Sequence, residues 1–201
     1  LAGEAALAGG RVHQLIGNHE AMRMLGDFRY VTPGEYAAFV TPDSAKVKKN
    51  LLESQSDPNR AHLVEQMPLG MIEMTKAFEP KGLYGAYLRG LNAVVRVNGV
   101  VFLHGGISPA VAKLSCTDIN ETVRRELSKD LEKTREAPQA ALTTREDGPL
   151  WYRGLALEPD TFEPTFQQIL TDQHARAIVV AHTVVDGGKI RTRFGNSLCM
   201  I

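Results

Sequence analysis

Three short apolar runs in the sequence stop abruptly at groups able to ligate a metal or move a proton. "VHQLIG" leads into Asn18, His19 and Glu20, "VVFL" into His104 followed by two glycines, and "AIVVA" into His182 and Thr183. One amide oxygen and two imidazoles suit a borderline divalent transition metal such as Mn, Fe or Zn. His19, beside them, is a residue type that carries protons near neutral pH. Each group also has a plain structural use. Asn18 is a good helix N-cap, Glu20 is a favourable charge in a first helical turn, and a lone strand-end histidine is more often structural. The recurrence at three strand ends, each with Gly or Thr alongside, turns the reading towards a metal site. In α/β sheets ligands gather beyond the carboxyl ends of the strands.

The elements that must position these groups read as helices interleaved with short buried strands, an α/β layered arrangement. The pattern predicts a helix over 1–7 stopped by Gly9 and Gly10, a strand over 12–16, and a helix opening at Asn18. Thr41-Pro42-Asp43 marks a helix start, and Pro68 should split the helical pattern of 60–78. Met67, Met71 and Met74 in that stretch read as core filler. Asn98-Gly99 between two β-rich runs predicts a hairpin. "TDINETVRRELSKDLEKTR" reads as a charged amphipathic helix capped by Thr117 or Asp118. Residues 137–149 read as a loop, 161–170 as a helix, and "KIRTRFGNSLCMI" as a closing hairpin. His13, His62 and His174 read as structural or surface residues.

The bulk composition narrows the class. At 201 residues, 43% hydrophobic and 23% charged, the chain is long enough for one globular domain with a real core. Its 23 basic residues balance 23 acidic ones, so no overall field draws it to nucleic acid or a membrane surface. No apolar run approaches the ~18–20 residues that span a bilayer. Two cysteines are too few for a disulfide framework. A soluble, cytoplasmic protein with no nucleic-acid or membrane partner is the default expectation. A start at Leu1 within a helical pattern and an end in "SLCMI" read as a fragment, incomplete at both termini.

In this order, "GNHE", "HGG" and "HT" resemble the third, fourth and fifth motifs of the calcineurin-like metallophosphoesterases. "GNHEAMRMLGDFRYVTPGEYAAF", "LYGAYLRGLNAVVRVNGVVFLHGGISP" and "GPLWYRG" are similar to the Shewanella-like and Rhizobiales-like phosphatases of the PPP phosphoprotein phosphatase group. The resemblance implies a sandwich of two mixed β-sheets flanked by helices. It implies one domain over 1–201, with a helical insertion at about 36–87 that covers the site. It also implies two divalent metal ions, with Asn18, His104 and His182 holding the second, and Asn18 touching substrate. His19 matches the general acid, and Arg153 in "LWYR" matches the arginine that grips the phosphate. The implied reaction is hydrolysis of a phosphomonoester, most often on a phosphorylated protein, by metal-activated water.

Two alternatives stay open: hydrolysis of a small phosphate ester or dinucleoside polyphosphate on the same centre, and a degenerate relative kept for binding. The departures bear on this choice. Neither Gly-Asp-x-His-Gly nor Gly-Asp-x-x-Asp-Arg-Gly lies in the sixteen residues before Gly17, and Ala181 stands where glycine is usual. Those motifs supply the first metal's ligands, the bridging aspartate and the carboxylate that orients His19. The chain alone is therefore expected to hold at most one metal weakly and not to turn over, with sheet edges left unpaired.

Overall fold

The computed structural model describes residues 1–201, apart from the side chain of Asp186. The helices are α1 (Ala2–Leu7), α2 (Asn18–Leu25), α3 (Pro33–Ala37), α4 (Ser44–Glu53), α5 (Pro58–Gln66), α6 (Met71–Phe78), α7 (Leu83–Leu88), α8 (Cys116–Glu126), α9 (Leu131–Glu136), α10 (Gly154–Leu157) and α11 (Glu163–Asp172). The strands are β1 (Val94–Val97), β2 (Val100–Leu103), β3 (Ala177–Val180), β4 (Arg191–Arg193) and β5 (Leu198–Met200). They fall into two compact units, one built from 1–21 with 89–201 and the other from 22–88.

The first unit is organised by a mixed sheet in the order β1-β2-β3-β5-β4. β2, β3 and β5 run parallel, with antiparallel β1 and β4 at the edges. Continuous apolar runs suit such strands, because parallel sheets are covered on both faces. Val101, Ile178 and Leu198, one from each parallel strand, are fully buried. Asn98 and Gly99 both take positive φ, 49° and 75°, which is the geometry a two-residue hairpin needs to match strand twist. The closing hairpin forms as expected, turning through Phe194, Gly195 and Asn196.

Three expectations need correction. The segment 12–16 is not a strand: Leu15 alone makes a parallel bridge, to Asn92, and Val12 is 43% exposed. A strand is held by its ladder, and one bridge does not make one. The cap of α8 is Ser115, neither Thr117 nor Asp118. Ser115 Oγ accepts from Asp118 N at 3.1 Å while Asp118 Oδ2 accepts from Ser115 N at 3.0 Å. That reciprocal pair is a capping box, in which the acidic residue stands three positions after the cap. The expected long helix also breaks after Glu126 and resumes as α9.

α8 fastens the sheet edge through Asn120. Its Oδ1 accepts from Ala93 N and Val94 N at 2.8 and 3.0 Å, and its Nδ2 donates to Val94 O at 2.9 Å. The backbone groups at the start of edge strand β1 are thereby satisfied without another strand.

The second unit is helical. Thr32 and Glu35 form a capping box on α3, and Glu35 also pairs with Arg23. α5 and α6 are split at residues 67–70, as Pro68 predicted. Gly70 has φ of 89°, and a Cβ there would overlap the Tyr36 carbonyl. Phe39, Phe78 and Tyr84 cluster with ring centroids 5.5–6.3 Å apart. Met74 is buried, whereas Met67 and Met71 are half-buried. Among the described residues no helix is long and apolar enough to cross a membrane.

Asn120→Ala should leave two buried N–H groups without partners and lower stability by about 2 kcal/mol, read as a shift in urea midpoint at constant m-value. Asp118→Asn should also destabilise, with a pH signature. The Ser115 hydroxyl and backbone hydrogen bonds hold Asp118 below the usual carboxylate range. Its contribution is therefore fully present above the unfolded-state pKa and disappears as pH falls through the folded one. Wild type and variant should differ in melting temperature at neutral pH and converge in acid.

Candidate functional site

Parallel pairing of β2 with β3 is what brings two of the histidines together. Phe102 lies opposite Val179, so both strands end at the same level, and Ala181 N donates to His104 O at 2.9 Å. His104 follows β2 directly and His182 lies two residues beyond β3. Asn18 opens α2 immediately after the Leu15 bridge. Its Oδ1 lies 2.7 Å from His104 Nε2, and that same nitrogen lies 3.1 Å from His182 Nδ1. Asn18 is 3% exposed. Gly17, packed between the Glu20 carboxylate and the His104 ring, donates its N–H to Glu20 Oε2 at 2.9 Å. Glu20 thus has a use beyond a first-turn charge.

His182 sits at φ 61°, a left-handed conformation for a residue with a side chain. Ala181 is not in that region, so the usual glycine is not demanded at its position. The Nε2 atom of His182 is buried and has no hydrogen-bond partner.

Burial holds His104 below the ordinary histidine value; the Glu20 carboxylate opposes this, and His19 and Arg153 reinforce it. His182 is pushed down to about 4, first by burial and then by Arg153, His104 and His19, with the Trp151 backbone opposing. Both imidazoles are therefore neutral at neutral pH, the form that ligates metals. These mutual influences also put His19 and Arg153, both exposed, in the field of the cluster.

The two glycines after His104 have a steric reason. A Cβ on Gly105 would lie 2.7 Å from Trp151 N and 2.8 Å from Pro149 O, and one on Gly106 would lie 2.9 Å from Tyr152 O. Their absence lets the backbone of 149–152 close against the strand end, with Gly105 N donating to Pro149 O at 3.0 Å. That approach seats the Trp151 ring edge-on to His182, centroids 5.9 Å apart at 83°. Arg153 follows. Trp151 was given no role by sequence reasoning, although its place in "GPLWYRG" as the chain's single tryptophan was a signal.

The donor set fits one divalent ion. It holds an amide oxygen and two neutral imidazoles, with Asn18 Oδ1 and His182 Nδ1 both turned towards His104 Nε2. Among the described residues no three His, Cys, Asp or Glu side chains are grouped to hold a metal, since the third donor here is an amide. His13, His62 and His174 are exposed and stand outside the cluster.

No protein-family model matches the chain. Over 184 residues it is 28% identical to Shewanella-like protein phosphatase 1 of Plasmodium berghei, covering 90% of this chain and 43% of that protein. Over 155 residues it is 32% identical to an uncharacterized protein of Schizosaccharomyces pombe, covering 76% of this chain and 39% of the other. Its whole length superposes on 52% of the cold-active protein-tyrosine phosphatase of a psychrophilic Shewanella species, with TM-score 0.69 and 26% identity. A further structure of a cold-active protein tyrosine phosphatase gives TM-score 0.64 at 25% identity. The chain spans less than half the length of the curated relatives it matches. It resembles the Shewanella-like phosphatases in sequence and shares their mixed α/β, calcineurin-like fold.

Gly105→Ala should force the 149–151 backbone away from the strand end and lower stability by about 1–3 kcal/mol. Thermal unfolding checks this, with Gly3→Ala as control, because a Cβ at Gly3 meets nothing within 4 Å.

Proposed function

We propose that the protein containing this chain is a metal-dependent phosphomonoesterase acting on phosphorylated proteins, with Asn18, His104 and His182 holding one divalent ion of its centre. The observation that supports this reading is the convergence of those donors, from three distant segments, to separations of 2.7 and 3.1 Å. The likeness to proteins named as phosphatases favours phosphoester chemistry over other uses of a metal. Mn, Fe or Zn suits the donors.

Bound ions supply an activated water and a clamp on the phosphoryl oxygens. The rest falls to side chains of this chain. Arg153, exposed beside the two imidazoles, offers a planar fork of N–H donors that pairs with two phosphate oxygens. His19, exposed in the first turn of α2, donates its proton to the departing alkoxide or phenoxide. Asn18 would hold the ion through its amide oxygen and would also contact the substrate. Glu20 holds the Gly17 turn that aims Asn18. The three donors account for one ion, so the 201-residue chain by itself is expected to bind metal without turning over.

The test is hydrolysis of an aryl phosphate and of phosphotyrosyl and phosphoseryl peptides by the product of the full reading frame that encodes this chain, with added Mn²⁺. His19→Ala should lower kcat by about 10²–10³-fold while metal affinity stays. Arg153→Ala should raise KM. Unchanged kcat in His19→Ala removes the proton-donor role, and no hydrolysis with Mn²⁺, Fe²⁺ or Zn²⁺ overturns the phosphatase reading.

A further inference from the structure

The loop that delivers Trp151 and Arg153 hangs on one carboxylate. Glu126, the last residue of α8, accepts from Leu142 N at 2.9 Å through Oε1. Through Oε2 it accepts from Thr143 N and the Thr143 hydroxyl at 2.8 and 2.6 Å. Hydrogen bonds to an ionised acceptor are short and strong, and three on one carboxylate fix a turn firmly. Thr143 is fully buried, and its carbonyl accepts from Trp151 Nε1 at 3.1 Å. The indole then meets His182 edge-on, two residues before Arg153. An acidic residue at a helix C-terminus opposes the helix dipole, which Arg124 and Arg125 in the same turn favour. The place of Glu126 is therefore unexplained by its own helix and explained by the loop.

We propose that Glu126 is a positioning residue: by pinning the Leu142–Thr143 turn it sets Trp151, and through Trp151 the His182 ring and Arg153. Its catalytic consequence rests on the phosphatase reading; its geometric one does not.

Because the chain has a single tryptophan, its emission reports this relay without interference. The experiment compares wild type, Glu126→Ala, Glu126→Gln and Thr143→Val, well below their melting temperatures, by emission maximum and by quenching with Co²⁺ alone. Glu126→Ala should shift emission to the red and raise the half-quenching cobalt concentration about tenfold, as loss of outer support around a metal ligand does. Glu126→Gln, which keeps one acceptor oxygen, should recover part of both. Thr143→Val should change less, in the same direction, and carries the comparison if Glu126→Ala does not fold.

A merely structural glutamate would lower the melting temperature while leaving emission and cobalt response of the folded protein unchanged. That result overturns the proposal. If wild type itself shows no cobalt response, the metal reading fails, and the emission shift alone then decides the positioning of Trp151.

Discussion

The parallel ladder between β2 and β3 is the constraint on which the rest depends. Two four-residue strands, set in register, release their chains at one level and leave His104 and His182 with ring centroids 4.8 Å apart. The Ala181 N–H to His104 carbonyl bond continues the ladder into the site, so backbone pairing fixes the relative height of both rings. Asn18 depends on the same level through the Leu15–Asn92 bridge. None of these side chains sits on a long flexible loop.

The surroundings then set the chemistry. Burial strips protons from two imidazoles that lie in the field of Arg153, and one buried nitrogen, His182 Nε2, has no hydrogen-bond partner. The exposed groups, His19 and Arg153, stand on the wet side of the same cluster. Asn18 is buried and the two imidazoles are half-buried, so the cluster grades from a sheltered amide to solvent-facing charge.

Much of this was legible in the sequence, for local reasons. Two of the three apolar runs that stop at a polar group, those before His104 and before Ala181-His182, do form strands, and Asn-Gly does announce a hairpin. The sequence "SCTDI" also carried the true cap, since Ser115 and Asp118 have capping-box spacing, but Thr117 and Asp118 were weighed as single residues instead. What stayed hidden was long-range. Whether 12–16 finds a ladder depends on a neighbour that its own composition does not encode. Trp151 reaches His182, and Glu126 reaches Thr143, only once the loop is folded back.

The left-handed backbone at His182 has a consequence for what this position can become. Among residues with side chains, His, Asn and Asp enter that conformation most readily, while β-branched residues are shut out. Those three are also metal-ligating types. The main chain thus acts as a filter on drift: among residues with side chains, those that keep the backbone relaxed are of types able to ligate, and others pay in strain or, with glycine, in flexibility. The conformation ties the persistence of the fold at this corner to the persistence of a side chain able to ligate.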